Sequence, residues 1–176
     1  TGCAFDVDFE ISMESRLYKE TVGKMEEKLT QMNYTGLSDA NVIVADDEVF
    51  FLEFCFRLGY NAAPNFFFNL CNKTCLQTIG DMLDGITDSI SCKSGFGASM
   101  TVFTDKYKTG LPIYIPESIE NKVFFFDAYE DEDEKQKIAG VGHEILIVNE
   151  HNYTVKTALK DVVDSSSRIL FKNCYF

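Results

Sequence analysis

The first segment of the chain alternates strictly between apolar and acidic residues. From Phe5 to Ile11 it reads FDVDFEI, which places four apolar side chains on one face and three carboxylates on the other. Side chains of an extended strand point alternately to its two faces. The segment is therefore predicted as a half-buried strand.

Two later segments repeat apolar residues every three or four positions, the period of an amphipathic helix. The first helix is expected to begin at Ser12, a favourable N-cap residue. Its apolar stripe comprises Tyr18, Val22, Met25, Leu29 and Met32. The second helix is predicted over residues 74–90, although Gly80 and Gly85 each weaken it by about 1 kcal/mol. Its stripe comprises Leu76, Ile79, Leu83, Ile86 and Ile90. Both stripes are expected to pack on the protein's own sheet.

The other patterned segments are predicted as strands. These strands are residues 41–45, 49–58, 100–104, 111–115, 122–129, 143–148, 153–158 and 168–175. In the second of them, Glu53, Cys55 and Arg57 share the more polar face. Asn149 to Asn152 is predicted as a hairpin turn, and Glu130 to Lys137 as a charged loop.

This order of elements favours the α+β class. Helices do not alternate regularly with strands, so a doubly wound parallel sheet is disfavoured. We predict a single extracellular domain over residues 1–176, in which a mostly antiparallel, disulfide-stapled sheet carries two amphipathic helices. A lipocalin-like barrel with helical additions is the alternative, but a long helix before most of the strands is out of place in it.

The charge of the chain limits the partners that it can have. Its 176 residues carry a net charge of −12, and lysine and arginine are scattered along it. Such a chain is repelled by nucleic acid phosphates and by anionic lipid headgroups, so we expect no nucleic acid partner. We expect no membrane insertion either, because no apolar run approaches the roughly 20 residues of a membrane helix. A signal peptide is absent, so we expect it to have been removed if the protein is exported, and Thr1 and Gly2 to be a vector scar.

An even number of cysteines suggests disulfide bonds. The six are Cys3, Cys55, Cys71, Cys75, Cys92 and Cys174. They match neither the paired spacing of a zinc site nor the Cys-x-x-Cys spacing of a redox motif. We predict three disulfides. The preferred pairing is Cys3 with Cys174, Cys55 with Cys71 or Cys75, and Cys92 with the other of these two.

Three Asn-x-Thr sequons accompany the cysteines, and each falls where a turn is expected. Glycosylation is predicted at their asparagines, Asn33, Asn72 and Asn152. Disulfides and sequons together are typical of secreted proteins and ectodomains. The sequence therefore predicts an extracellular location.

The sequence contains no recognisable catalytic constellation. His143 and His151 lie outside any His-Glu-x-x-His spacing, and the loop glycines match no nucleotide-binding fingerprint. We therefore expect no enzyme activity, no catalytic residue, no cofactor and no metal site.

An acidic run is the candidate partner-binding surface. It consists of Asp127, Glu130, Asp131, Glu132, Asp133 and Glu134. The run lacks the ligand pattern and central glycine of an EF-hand loop, which disfavours a calcium site. It is interpreted either as a solvated loop or as a surface that steers the protein toward the basic face of another extracellular protein.

These patterns together favour a secreted, N-glycosylated binding protein that acts on an extracellular target such as a cytokine or a cell-surface receptor. The alternative is a carrier of a small apolar ligand. In that case, the phenylalanine runs at 50–51, 66–68 and 124–126 would line a pocket.

Overall fold

The computed structural model describes residues 5–46, 48–86, 90–105 and 108–176. Over these residues the chain has a mixed α+β fold with antiparallel sheets, which confirms the predicted fold class. The residues fall into two units. The sheet unit comprises the described parts of Thr1–Phe9, Asn61–Cys71 and Lys93–Phe176, and the hairpin unit comprises those of Glu10–Tyr60 and Asn72–Cys92. The single domain over residues 1–176 stays a prediction.

The strands and helices are numbered in chain order. The strands are β1 (Phe5–Asp8), β2 (Asp39–Ala45), β3 (Glu48–Cys55), β4 (Phe96–Thr104), β5 (Val123–Phe125), β6 (Ala128–Glu130), β7 (Gln136–Ile138), β8 (Glu144–Asn152) and β9 (Cys174–Tyr175). The helices are α1 (Arg16–Glu20), α2 (Glu26–Gln31), α3 (Ala62–Asn65), α4 (Cys75–Leu83), α5 (Glu117–Glu120) and α6 (Val155–Ser166). A 3₁₀ turn, Val22–Met25, joins α1 to α2, and a π-helical turn, Phe66–Leu70, continues α3.

The sheet unit is built on the pairing of its two longest strands. β4 and β8 run antiparallel at the centre of the sheet, whose order is β1-β4-β8-β5, and β9 pairs with the end of β4. Ala98, Val102 and residues 145–148 have no exposed surface. These strands are buried on both faces, which explains why residues 145–148 read as a continuous apolar run.

Helix α6 packs on one face of this sheet. Ala158 and Val162 are fully buried there, and Ser165 Oγ donates a hydrogen bond to Glu150 Oε1 on β8 at 2.6 Å. The predicted strand over 153–158 and the predicted turn from Asn149 to Asn152 are therefore wrong. Thr154 starts a helix, and residues 149–152 are the end of β8. Threonine and valine favour strands, and this local preference concealed the helical spacing of the residues that follow.

A row of asparagines packs on the opposite face of the sheet. Asn61, Asn65 and Asn69 recur every four residues, from the N-cap of α3 through its π-helical turn. Asn61 Oδ1 accepts a hydrogen bond from Thr101 Oγ1 at 2.9 Å, and Asn69 Nδ2 donates to Asn65 Oδ1 at 2.6 Å. A Cβ atom on Gly97 would lie 2.3 Å from Asn65 Oδ1, so only glycine allows this approach.

In the hairpin unit, β2 and β3 form the antiparallel pair that their sequences predict. The helix predicted from Ser12 to Met32 is broken into pieces. Ser15 caps α1 by accepting a hydrogen bond from the Tyr18 N–H, and Thr21 leaves the helical conformation. No residue of α1, the 3₁₀ turn or α2 is buried. The continuous helix with a core-facing stripe is therefore a wrong prediction.

Helix α4 has well-formed ends. Thr74 and Gln77 make a reciprocal capping box at its start. At its end, the N–H of Ile86 donates to the carbonyl of Asp81 at 2.8 Å, and Gly85 has a φ of +72°. This is a Schellman motif, so Gly85 ends the helix instead of weakening its interior. The predicted helix over 74–90 therefore stops at Leu83, and its residues 87–89 lie outside the described part of the chain.

Three predicted strands are shorter than expected. Residues 111–115 make only two isolated bridges, residues 122–129 divide into β5 and β6, and residues 168–175 keep only β9. The charged loop predicted from Glu130 to Lys137 is the tip of a hairpin, because β6 pairs with β7. Where the structure describes the chain, no helix combines the length and the apolar character needed to span a membrane.

The start of α6 provides a test of this structure. The Thr154 side chain accepts a hydrogen bond from the Thr157 N–H at 3.2 Å. Thr154→Ala removes this cap and should lower the free energy of unfolding by about 1 kcal/mol, measured by urea denaturation. Thr154→Ser keeps the hydroxyl and should change stability much less. Equal effects of the two substitutions would contradict a helix that begins at this residue.

Candidate functional site

One end of the β2–β3 hairpin carries polar side chains in register. Asp39 lies opposite Cys55, and Asn41 lies opposite Glu53. Directly opposed residues of antiparallel strands project from the same face. Asn41 Nδ2 donates a hydrogen bond to Glu53 Oε1 at 3.1 Å and lies 3.8 Å from Cys55 Sγ. We call these four residues the polar end of the hairpin.

A β-bulge separates the polar end from an apolar end. The register passes from Asn41 opposite Glu53 to Val42 opposite Phe51, which leaves Leu52 as an extra residue in β3. Beyond the bulge, Ile43 and Phe50 are each about half exposed. Bulges re-aim side chains and are frequent beside active sites. Among the described residues, neither outer edge of this hairpin pairs with a further strand.

The polar end presents two carboxylates on one face of the hairpin. In nucleotide sites, Mg²⁺ is held by one or two carboxylates together with the substrate phosphates. Asp39 and Glu53 supply carboxylates, and Glu53 is exposed to solvent. The thiol of Cys55 is a soft ligand that Mg²⁺ does not select. Within the described ranges, no three His, Cys, Asp or Glu side chains are grouped closely enough to hold a metal ion. A metal here would therefore depend on oxygen atoms of a bound ligand.

Both histidines form hydrogen bonds with backbone carbonyl groups in the sheet unit. His143 Nδ1 lies 3.2 Å from the carbonyl oxygen of Thr104, and His151 Nε2 lies 3.1 Å from that of Ser94. A carbonyl only accepts hydrogen bonds, so each of these nitrogens acts as a donor.

Asp127, the first member of the predicted acidic surface, is buried. Its carboxylate accepts hydrogen bonds of 2.9–3.1 Å from the backbone N–H groups of Gly140, Val141 and Gly142. Only 6% of its surface is exposed. Asp127 therefore holds the 140–142 loop in place and is not part of an accessible acidic patch.

The rest of the acidic run lies around the tip of the β6–β7 hairpin. Glu130, Glu132, Asp133 and Glu134 are exposed there. Asp131 accepts hydrogen bonds from the N–H groups of Asp133 and Lys135, and it pairs with Lys137 at 2.5 Å. The hydrogen bond from Lys137 lowers the pKa of Asp131. The tip is thus an organised turn, and its role in binding a basic partner stays a prediction.

The predicted disulfide framework is not supported. The described cysteines, Cys55, Cys71, Cys75, Cys92 and Cys174, form no disulfide bond, and Cys3 lies outside the described residues. Some of these thiols make local contacts, as between Cys174 Sγ and the carbonyl oxygen of Ile169 at 3.8 Å. A cysteine can act as a small apolar residue with a weak donor, which an even count does not reveal. The argument for an oxidising compartment loses this support, and the extracellular location stays a prediction.

The sequons have structural roles that need no glycan. Thr74 and Thr154 are the N-caps of α4 and α6. Asn72 Nδ2 donates to Ser91 Oγ at 2.8 Å, and Asn152 Nδ2 donates to Asp161 Oδ2 at 2.9 Å. Asn33 adopts a positive φ of 49° just after α2. Two of the three sequons are therefore turns that lead into a helix, and nothing found supports the predicted glycoprotein.

Comparison with known proteins identifies the fold. No protein-family model matches the chain, and no curated protein sequence is significantly similar to it. The phosphoribosylamine–glycine ligase of Thermotoga maritima superposes on 97% of this chain with a TM-score of 0.67 and 16% identity. The biotin carboxylase of Campylobacter jejuni, solved as a complex with beta-gamma-ATP, superposes on 97% with a TM-score of 0.66 and 11% identity. Both are ATP-grasp-type proteins. The chain spans 44% and 40% of their lengths.

These similarities correct the functional interpretation of the sequence. A secreted binding protein without enzyme activity, with a lipocalin-like carrier as its alternative, was expected. The fold is instead one that ATP-dependent enzymes use. The sequence analysis predicted a disulfide at Cys55 on the polar face of β3. It did not predict the hydrogen bond between Asn41 and Glu53 across the hairpin. The available signal was Glu53, a carboxylate inside a mostly apolar strand that follows the strand containing Asn41.

The Asp127 clamp predicts a large effect on stability. Asp127→Ala leaves three N–H groups without their acceptor, so the free energy of unfolding should fall by about 3 kcal/mol, the upper range for hydrogen bonds to a charged group. Urea denaturation followed by circular dichroism measures it. Asp133→Ala, at an exposed position of the same acidic run, is the matched control and should have little effect. Similar losses for both variants would contradict the clamp.

Proposed function

We propose that this chain is part of an ATP-dependent ligase with the ATP-grasp fold, and that the polar end of its hairpin faces the magnesium–nucleotide complex. The observation that carries the proposal is the superposition of 97% of the chain on a ligase and on a carboxylase solved with beta-gamma-ATP. The identities are low, so the polar end of the hairpin provides the local support for the chemistry.

The charge of the chain favours a nucleotide that binds with its metal. A triphosphate is strongly anionic, and a chain with a net charge of −12 repels it. A magnesium ion between the phosphates and the carboxylates of Asp39 and Glu53 would replace this repulsion with attraction. The hydrogen bond from Asn41 would hold the Glu53 carboxylate in one orientation before the metal arrives.

The surface of the hairpin favours a site that other protein segments complete. Val44 is 61% exposed, Phe51 is 51% exposed and Leu52 is 58% exposed, and a two-stranded hairpin is marginally stable by itself. More than half of each of the two solved chains lies outside the matched region. We propose that segments equivalent to that region cover the apolar end of the hairpin and supply further contacts to the nucleotide.

Nucleotide binding tests the proposal directly. Isothermal titration calorimetry with ATP should detect binding in the presence of Mg²⁺ and lose it when the metal is chelated by EDTA. Glu53→Gln removes a charged oxygen donor and should raise the Kd for Mg·ATP by about tenfold or more. Glu48→Gln, at the exposed far end of the same strand, is the matched control and should leave the Kd unchanged.

Two results would contradict the proposal, the first its function and the second its location. One is the absence of magnesium-dependent binding at millimolar ATP by a protein that is folded by circular dichroism. The other is equal binding by the two variants, which would leave the fold assignment intact but place the nucleotide away from the polar end.

A further inference from the structure

The hairpin unit contains a cavity that the nucleotide chemistry does not use. Its volume is about 280 Å³, and its walls are the loop Tyr34–Ser38, Lys73, one side of α4, Ile86 and Ile90. Pockets for drug-sized ligands begin at about 300 Å³. A cavity of this size accommodates a small metabolite, of the size of one amino acid.

The walls of this cavity are held in place by local hydrogen bonds. Tyr34 Oη donates to the carbonyl of Leu37 at 2.7 Å and closes the loop. Gly36 has a φ of +154°, and a Cβ atom there would lie 2.9 Å from the Tyr34 hydroxyl. On the opposite wall, α4 is fixed by its capping box and by its Schellman motif. The cavity is therefore preorganised, which reduces the entropy lost on binding.

Two of the residues that line the cavity form an ion pair. Lys73 Nζ bonds to Asp81 Oδ2, and both residues line the cavity. The side chains are 41% and 29% exposed, so both charged groups are accessible to a ligand as well as to each other. Lys73 belongs to the Asn72-Lys73-Thr74 sequon, in which Thr74 starts α4 and so fixes the lysine near the first turn.

Apolar side chains complete the lining. Leu37 comes from the loop, Met82 from α4, and Ile86 and Ile90 from the residues after the helix. Ile86 is held in position by the hydrogen bond from its own N–H to the carbonyl of Asp81. The cavity therefore offers one positive group, one negative group and an aliphatic wall.

We propose that this cavity binds a free amino acid with an aliphatic side chain, of the leucine or methionine type. The ligand carboxylate would pair with Lys73, its ammonium group with Asp81, and its side chain would lie against Met82 and Ile86. A simple anion is repelled by the carboxylate of Asp81, and a simple cation is repelled by the ammonium group of Lys73. A zwitterion is attracted by both, because its two charged groups form one ion pair with Lys73 and one with Asp81 in place of the ion pair between these residues.

This site lies outside the polar end of the hairpin and does not depend on the proposed nucleotide function. The test therefore contains neither nucleotide nor magnesium. L-leucine is titrated into the ¹⁵N-labelled protein, and amide shifts are followed by NMR at Gly36, Leu37 and Met82. We expect saturable shifts at these amides. Isocaproate lacks the ammonium group and isoamylamine lacks the carboxylate, so both should bind at least about tenfold more weakly.

Variants identify the charged groups responsible. Lys73→Gln and Asp81→Asn should each raise the Kd for L-leucine by about tenfold, because each removes one of the two ion pairs. Lys19→Gln is the control, since Lys19 pairs with Glu14 on the exposed surface. The fold of each variant is checked from its remaining amide shifts. Three results would overturn the proposal: no saturable shifts with L-leucine, equal binding of the two singly charged analogues, or wild-type affinity in both folded variants.

Discussion

The sheet unit depends on one interaction, the antiparallel pairing of β4 with β8. β1 and β9 attach to β4, and β5 attaches to β8. Helix α6 covers one face of the pair, and the asparagine row covers the other. Fully burying a Val, Leu or Ile side chain contributes about 1.5–3 kcal/mol, so the unexposed residues of the two strands supply much of the stability of this unit. The strands are distant in sequence, and pairing of this kind slows folding because the entropy of closing the intervening loop is lost first.

Much of the fold could be predicted because the local patterns agreed with the final packing. β1, β2, β3, β4 and β8 were expected from alternation or from apolar runs, and all five are strands. The errors lie where local and tertiary preferences differ. Tyr153 to Ala158 alternates over a short distance, but the burial of Ala158 and Val162 against the sheet selects a helix. Residues around Tyr114 have strand-like composition, but they make only isolated bridges.

The candidate site was less predictable than the fold because it depends on pairing across a hairpin. The sequence offered only cysteines and sequons as functional signals. Both are common in secreted proteins, but proteins that are not secreted contain them too. The structure shows threonines that cap helices and an asparagine that bonds to a glutamate on the next strand. The bulge at Leu52 sets which side chains face one another, and no single strand reveals it. Asp127 is a similar case, because its acceptor role requires the loop at 140–142 to return to it.

The asparagine row has a consequence for how the sheet tolerates change. On β4, one face is apolar, and the other presents glycine and threonine to amide side chains. Amides accept only partners with matching donors and acceptors at fixed distances, whereas an apolar layer can repack around a new shape. Gly97 allows no Cβ beside Asn65. The two faces of the same strands should therefore evolve at different rates, with substitutions accumulating beneath α6 while the residues beneath the asparagines change only together.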